Sequence, residues 1–400
     1  MIRPFEFMNI YTTNPCDYAE FLLANYFLVP EDYDEDEIVE IIRKKQELPI
    51  PSNYLDHPYK FIILTTTRCN ARCFYCYEMQ SKGKTHMSYE TAEKVAEYIM
   101  DVAPKNQQIE LGWFGGEPLY NMDVIEIICS RLASAGIKFK SNIISNCYLF
   151  DEKTVRKAKY DWNLTNVQVT FDGTEQTYNK IKDYIYKDSD ESPYYKVINN
   201  VKNLLKEGIS VSARMNCDHH NFENLKELIV ELNEHFKDFG NFQMYVWPLF
   251  EIGFTRTSEE KKVLYDSVLE LEKMLLDMNY PISHQMHDGI KSSHCMVDSG
   301  NAVTITPKGD IGLCEHYIDK NFISHIDNPC KKDFDIIKSW RNYVEANEFC
   351  KDCPVRPVCL KMHQCPDQVP CEEHQKNYWI EHYKLNLISN FEIAKQNDRN

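Results

Sequence analysis

Cys69, Cys73 and Cys76 put three thiols into the stretch CNARCFYCYE, with three and then two residues between them. Thiolates ligate soft metals, and three of them suit an iron–sulfur cluster that keeps one iron open to another group. Zinc is the competing metal, but a tight loop of this spacing with no fourth ligand close by makes an uncommon structural zinc site. Cysteines that only pack a loop would follow a helix or strand period, and these follow neither. A second set lies downstream, where Cys295, Cys314, Cys330, Cys350, Cys353, Cys359, Cys365 and Cys371 crowd into residues 293–375. That region has little apolar periodicity beyond a hairpin-like AVTITPKGDIGLCEH with its turn at PKGD, so metal cross-links are expected to stabilise it. A zinc ribbon from Cys350, Cys353, Cys359 and Cys365 competes there with iron–sulfur ligation. Cys16, Cys129, Cys147 and Cys217 occupy apolar or strand positions and read as small buried hydrophobes.

The first three cysteines directly follow the apolar run KFIILTTT, which places them at the C-terminal end of a strand, where parallel α/β folds carry their active sites. That run opens a series of strand-like and helical segments. IELGWFG, FKSNIIS, VQVTFDG, VSARMNC and FQMYVWPL read as further strands, and SYETAEKVAEYIM, VIEIICSRLASA, EKTVRKAKY, YYKVINNVKNLLKEG and FENLKELIVELNEHF as helices. Six alternations imply right-handed crossovers and a parallel sheet, either curled into a partial barrel or doubly wound. Before it, residues 1–55 hold two short strand-like runs, FMNIY and NYFLVP, the acidic helix candidate DEDEIVEIIRKKQE and a proline-bounded linker. After it, residues 256–292 hold an amphipathic helix that bridges to the cysteine-rich region, and residues 376–400 a closing helix.

The chain has 400 residues, of which 43% are hydrophobic, enough for a large core. Its net charge of -16 disfavours nonspecific binding to nucleic acid or anionic membranes. No signal peptide is visible, and no apolar run reaches the roughly 18 residues of a membrane span. A cytoplasmic protein is expected, and in a reducing compartment its 15 cysteines argue for metal rather than disulfides.

The spacing of Cys69, Cys73 and Cys76, with aromatic Tyr75 just before the last, resembles the signature of radical S-adenosylmethionine (radical SAM) enzymes. The resemblance implies that these three cysteines hold a 4Fe-4S cluster whose remaining iron is chelated by S-adenosylmethionine. Reductive cleavage would then give a 5'-deoxyadenosyl radical, with the cofactor carrying the hard chemistry. Other matches follow in the family's order. Gly115, Gly116 and Glu117 in WFGGEPL resemble the glycine-glycine-glutamate motif, in which backbone approaches the methionyl amine and the glutamate accepts from it. Ser145 and Asn146 resemble a strand-end polar pair that contacts the cosubstrate, with Cys147 standing where glycine is more usual. Asp172, with Gly173, resembles a stretch of the peptide-modifying branch, and Arg214 sits where the family often places a basic residue near the cosubstrate carboxylate. Tyr75 completes this cofactor-binding set.

Cys295, Gly309 and Cys314, followed by Cys350, Cys353 and Cys359, resemble the SPASM extension, which carries two auxiliary 4Fe-4S clusters. The interleaved pattern implies an inner cluster on Cys295, Cys314 and Cys365 and an outer one on Cys350, Cys353, Cys359 and Cys371. His363 stands where a cysteine is usual, and Cys330, His294 or His287 could complete the inner set. The implied architecture is a partial (β/α)6 TIM-like barrel over residues 56–255, a SPASM domain over 293–375, and residues 1–55 as a cap or peptide-recognition element. The implied function is modification of a ribosomally made precursor peptide by thioether or carbon–carbon cross-linking, with three clusters, S-adenosylmethionine, and an electron donor such as flavodoxin or ferredoxin. An anaerobic sulfatase-maturing activity, a peptide epimerase and a non-catalytic iron–sulfur redox or binding module are the alternatives.

Overall fold

The structure, a computed structural model, describes residues 53–80, 84–186, 191–249, 255–282, 295–317, 319–340 and 371–397, together with residues 34, 37, 40, 41, 44, 50, 51 and 353. Packing divides the chain into Met1–Lys45 and Gln46–Asn400. In the first unit Glu37, Glu40, Ile41 and Lys44 are helical, where the acidic helix was expected, and Lys44 pairs with Glu40 at 3.7 Å. The two strand-like runs expected before it lie outside the described residues.

The second unit is built on one nine-stranded sheet in the order β6-β5-β4-β3-β2-β1-β7-β8-β9. Its first six strands are β1 (Lys60–Thr66), β2 (Ile109–Gly115), β3 (Phe139–Ile144), β4 (Leu164–Phe171), β5 (Ser210–Cys217) and β6 (Phe242–Pro248). Each pairs in parallel with its sequence neighbour. A strand order that never reverses has no switch point, so the sheet winds one way, as in a partial TIM-like barrel, and not in both directions as in a doubly wound fold. The last six residues of β1 are buried, as a strand covered on both faces requires.

Helices return the chain between these strands: α1 (Tyr89–Val102), α2 (Met122–Ser134), α3 (Glu152–Tyr160), α4 (Glu175–Lys182), α5 (Pro193–Lys206) and α6 (Phe222–Phe236). Their buried residues recur at helical spacing, Ala92, Val95, Ala96 and Ile99 on α1 and Leu225, Leu228, Ile229 and Leu232 on α6. Side-chain caps start α1 and α3, where Ser88 accepts from the Thr91 amide and Asp151 from the Thr154 amide. The helix α7 (Ser258–Asp277) opens with a capping box between Thr257 and Glu260.

After a single helical turn, α8 (Met296–Ser299), the chain enters β7 (Ala302–Ile305), β8 (Asp310–Gly312) and β9 (Phe322–His325). The expected hairpin is β7–β8. Its first strand also pairs in parallel with β1, Ile63 opposite Ile305, so the cysteine-rich region is joined to the barrel by a backbone ladder. The short α9 (Phe334–Trp340) and the closing α10 (Glu373–Asn397) follow. Among the described residues no helix is long and apolar enough to cross a membrane.

Candidate functional site

The C-terminal ends of β1 to β5 carry the candidate residues in order, because parallel strands that advance side by side bring their following loops to one rim. Cys69, Cys73 and Cys76 leave β1, Gly115 ends β2 with Gly116 and Glu117 after it, Ser145 and Asn146 follow β3, Asp172 follows β4, and Arg214 lies on β5.

The β2 end lies hard against the start of the cysteine loop. Gly116 donates to the Thr66 carbonyl at 3.0 Å and Glu117 to the Arg68 carbonyl at 2.9 Å. A Cβ on Gly115, whose φ is +118°, would meet the Thr66 oxygen at 2.1 Å, and one on Gly116 would meet the Arg68 oxygen at 2.4 Å. Glycine is required at both positions by close approach of two backbones.

Glu117 is fully buried, and its carboxylate accepts from Ser145 Oγ at 2.8 Å, the Asn146 amide at 2.8 Å and the Leu119 amide at 3.2 Å. Burial pushes its pKa up to about 7 against the pull of these three donors and of Lys182. It thereby ties the β2 end to the β3 end. Asn146 Nδ2 in turn donates to Asn70 Oδ1 at 2.7 Å and lies 3.9 Å from the Cys69 thiol. Cys147 takes a φ of 61°, in the left-handed region that favours glycine.

On the other side of the loop, Phe74 points outward, 65% exposed, while Tyr75 turns in and donates to Asp172 Oδ2 at 2.7 Å. Asp172 is 1% exposed and also accepts from Asn216 Nδ2 at 3.0 Å and from Lys182 Nζ at 2.8 Å. Arg214 Nε donates to Asn216 Oδ1 at 2.9 Å, so this residue joins the same network. Lys182, Asn216 and Asn70 carry no motif and were not singled out from the sequence. Lys182 is the C-terminal residue of α4, a helix whose weak apolar pattern hid it.

None of the three thiols is in a disulfide, and all three are half-buried. Burial and then Glu117 push Cys69 up to about 12, and burial also raises Cys73, with Lys182 opposing. They do not belong to any group whose donor atoms all lie within 4.8 Å of one another; among the described residues Asp218, His219 and His220 alone form such a group. Three thiols on one loop suit a polynuclear cluster, whose ligands sit on different metal atoms. In the Asp218 group, Oδ1 already accepts from the His219 amide, His219 Nδ1 and Arg256.

Of the downstream set, Cys295, Cys314 and Cys371 are half-buried, as is Cys353, and Cys330 is exposed. Cys350, Cys359, Cys365, His363, His287 and His294 lie outside the described residues. Cys314 opens a turn that packs on the residue after Cys76: Tyr77 donates to the Glu315 carbonyl at 3.4 Å and stacks on His316 with ring centroids 5.1 Å apart. Cys129, Cys147 and Cys217 are buried, as small hydrophobes should be, and Cys16 lies outside the described residues.

Comparison with known proteins adds independent findings. Residues 63–244 match the family described as the radical SAM superfamily. A protein of Methanocaldococcus jannaschii described as uncharacterized is 26% identical over 299 residues, which span 72% of this chain and 95% of that one. The solved structure of anSMEcpe with bound AdoMet superposes with a TM-score of 0.65 at 17% identity, over 85% of this chain and 99% of that one. The same protein with AdoMet and the Cp18Cys peptide gives 0.61 at 16% identity, over 84% of this chain and 99% of that one. Streptococcus suis SuiB bound to precursor peptide SuiA gives 0.55 at 15% identity, over 88% and 79%. At these identities the likeness to solved structures is one of fold.

Proposed function

Because residues 63–244 match the radical SAM superfamily, we propose that the protein is a radical SAM enzyme that modifies a ribosomally made precursor peptide by thioether or carbon–carbon cross-linking. The observation that carries the reading is the loop of Cys69, Cys73 and Cys76, set at the C-terminal end of β1 between the Glu117–Ser145–Asn146 cluster and the Tyr75–Asp172–Lys182 network. When bound there, a 4Fe-4S cluster with S-adenosylmethionine supplies a 5'-deoxyadenosyl radical that abstracts a substrate hydrogen.

The chain's own residues prepare the place. Cys69, Cys73 and Cys76 hold the cluster, and the Gly115–Gly116 backbone leaves room for the methionyl end of the cosubstrate. Glu117 fixes the orientation of Ser145 and Asn146 toward it. Tyr75, Asp172 and Arg214 close the opposite wall. Cys295, Cys314 and Cys365, and Cys350, Cys353, Cys359 and Cys371, are the ligands we assign to two auxiliary clusters of a SPASM region.

A peptide substrate is supported by the fold, which is shared with proteins solved with a peptide bound. Residues 1–55 are proposed as the leader-binding element, and a flavodoxin or ferredoxin as electron donor. The test is anaerobic incubation of reconstituted, reduced protein with S-adenosylmethionine and a synthetic peptide encoded beside its gene. Formation of 5'-deoxyadenosine, and a peptide lighter by two hydrogen atoms, are the expected products. No 5'-deoxyadenosine would remove the enzyme reading, whereas 5'-deoxyadenosine without that peptide product would remove the cross-linking reading alone.

A further inference from the structure

Lys182 is a lysine with almost no water around it, 1% exposed. An ammonium has three hydrogens to donate, and all three are used inside the protein: Asp172 Oδ2 lies at 2.8 Å, Thr170 Oγ1 at 2.7 Å and the Tyr75 hydroxyl at 3.2 Å. No donor is left over for a cosubstrate or a substrate, so its work is done on the protein. The main chain around it grips the cysteine loop as well. The Lys182 carbonyl accepts from the Arg72 amide at 2.7 Å, and three residues later the Ile185 amide donates to the Asn70 carbonyl at 2.9 Å. Between these two bonds Asp183 turns the chain in the left-handed region, φ 42°, where the helix ends.

The loop 69–76 is therefore held at three separate points by residues 182–185, at Asn70 and Arg72 through backbone and at Tyr75 through the ammonium. We propose that Lys182 is a positioning residue for the cluster, locking the three-cysteine loop in its ligating shape and placing a fixed positive charge beside it. The assignment rests on the reading of Cys69, Cys73 and Cys76 as cluster ligands. The charge is fixed because Asp172 faces it directly at 2.8 Å; burial alone would favour the neutral amine, yet Asp172 holds the group well above the ordinary lysine value.

The test uses reconstituted full-length protein and two readouts apart from activity: the rate at which a chelator strips the S-adenosylmethionine-responsive cluster, and its electron paramagnetic resonance spectrum with and without S-adenosylmethionine. Lys182→Met is expected to speed stripping about tenfold, the equivalent of one charge-assisted bond, and to blunt the spectral response to S-adenosylmethionine. Tyr75→Phe, which removes the point where the ammonium meets the loop, should move both readouts the same way. Lys180→Met, an exposed lysine of the same helix, should move neither. Far-UV circular dichroism accompanies each variant, and faster stripping together with lost helicity counts against a positioning role. If Lys182→Met does not fold, Lys182→Gln, which keeps a hydrogen-bond donor but not the charge, carries the same comparison. A folded variant without Lys182 that matches wild type in rate and spectrum overturns the inference. Failure of the underlying assignment looks different: replacing Cys69, Cys73 and Cys76 by Ala would leave the iron content and the S-adenosylmethionine response of wild type unchanged.

Discussion

Glu117 shows how much one buried side chain can decide. Its carboxyl keeps a proton up to about pH 7 in the folded chain, against 4.5 when exposed. The stability that its protonated form contributes is full below pH 4.5 and is lost as pH rises through 7. Between about pH 5 and 8 the metal-free protein should lose roughly 2 to 3 kcal/mol in denaturant unfolding that the Glu117→Gln variant does not lose. Equal pH slopes for the two proteins would contradict the assignment. In the loaded enzyme, Glu117→Ala frees Ser145 Oγ and the Asn146 amide from their acceptor. S-adenosylmethionine binding should weaken by about tenfold to a hundredfold, one or two decades at 1.4 kcal/mol each, as calorimetry would read it. At this scale the sequence was most legible where chemistry imposes spacing. The cysteine loop, the glycine pair with Glu117, and Asp172 all declare themselves by pattern. Lys182, Asn216 and Asn70 do not, because one polar residue carries no period and its partners lie far off in sequence; Lys182 is 107 positions from Tyr75.

Strands and helices were legible to the extent that burial imposed a period on them. All six barrel strands fall where apolar runs placed them, since each is covered by its neighbours and by a helix layer. The helix α4 escaped because its buried residues are Tyr178 and Lys182, and a lysine does not read as a core position. Its position was set by the ion pair with Asp172, a tertiary contact that overrides weak local pattern. At the β1–β2 junction the demand runs from packing back to sequence. Gly116→Ala drives a methyl into the Arg68 carbonyl and should cost about 1 to 3 kcal/mol by overpacking, with loss of iron from the adjacent loop. Gly136→Ala offers a contrast, since its Cβ would meet nothing within 4 Å and only its φ of +73° resists. That variant should cost about 1 to 2 kcal/mol for the left-handed backbone and keep its iron. Denaturant midpoints beside iron assays separate the two cases.

Across the whole chain, the proposed ligand sets predict that reconstituted protein holds about twelve irons, three 4Fe-4S clusters, and that replacing Cys69, Cys73 and Cys76 by Ala leaves about eight. A zinc content near one with about four irons would sink the three-cluster count. Removing the metal from the proposed downstream sets should open the stretch from Cys350 to Cys371 to proteolysis before the barrel, because its sequence carries little apolar periodicity. The feature the sequence could not disclose is the pairing of β7 with β1, across some 240 positions and without any local signal. Yet that ladder has a mechanical consequence. β1, which presents the first three cysteines, and β7, which the chain enters from Cys295 through α8, advance side by side, Ile63 abreast of Ile305. The offset between the cysteine loop after β1 and the β7–β8 hairpin turn is then set by peptide geometry. Hairpin and cysteine loop can part only by breaking that ladder, so a push on either would be felt by both, as by two teeth of one comb.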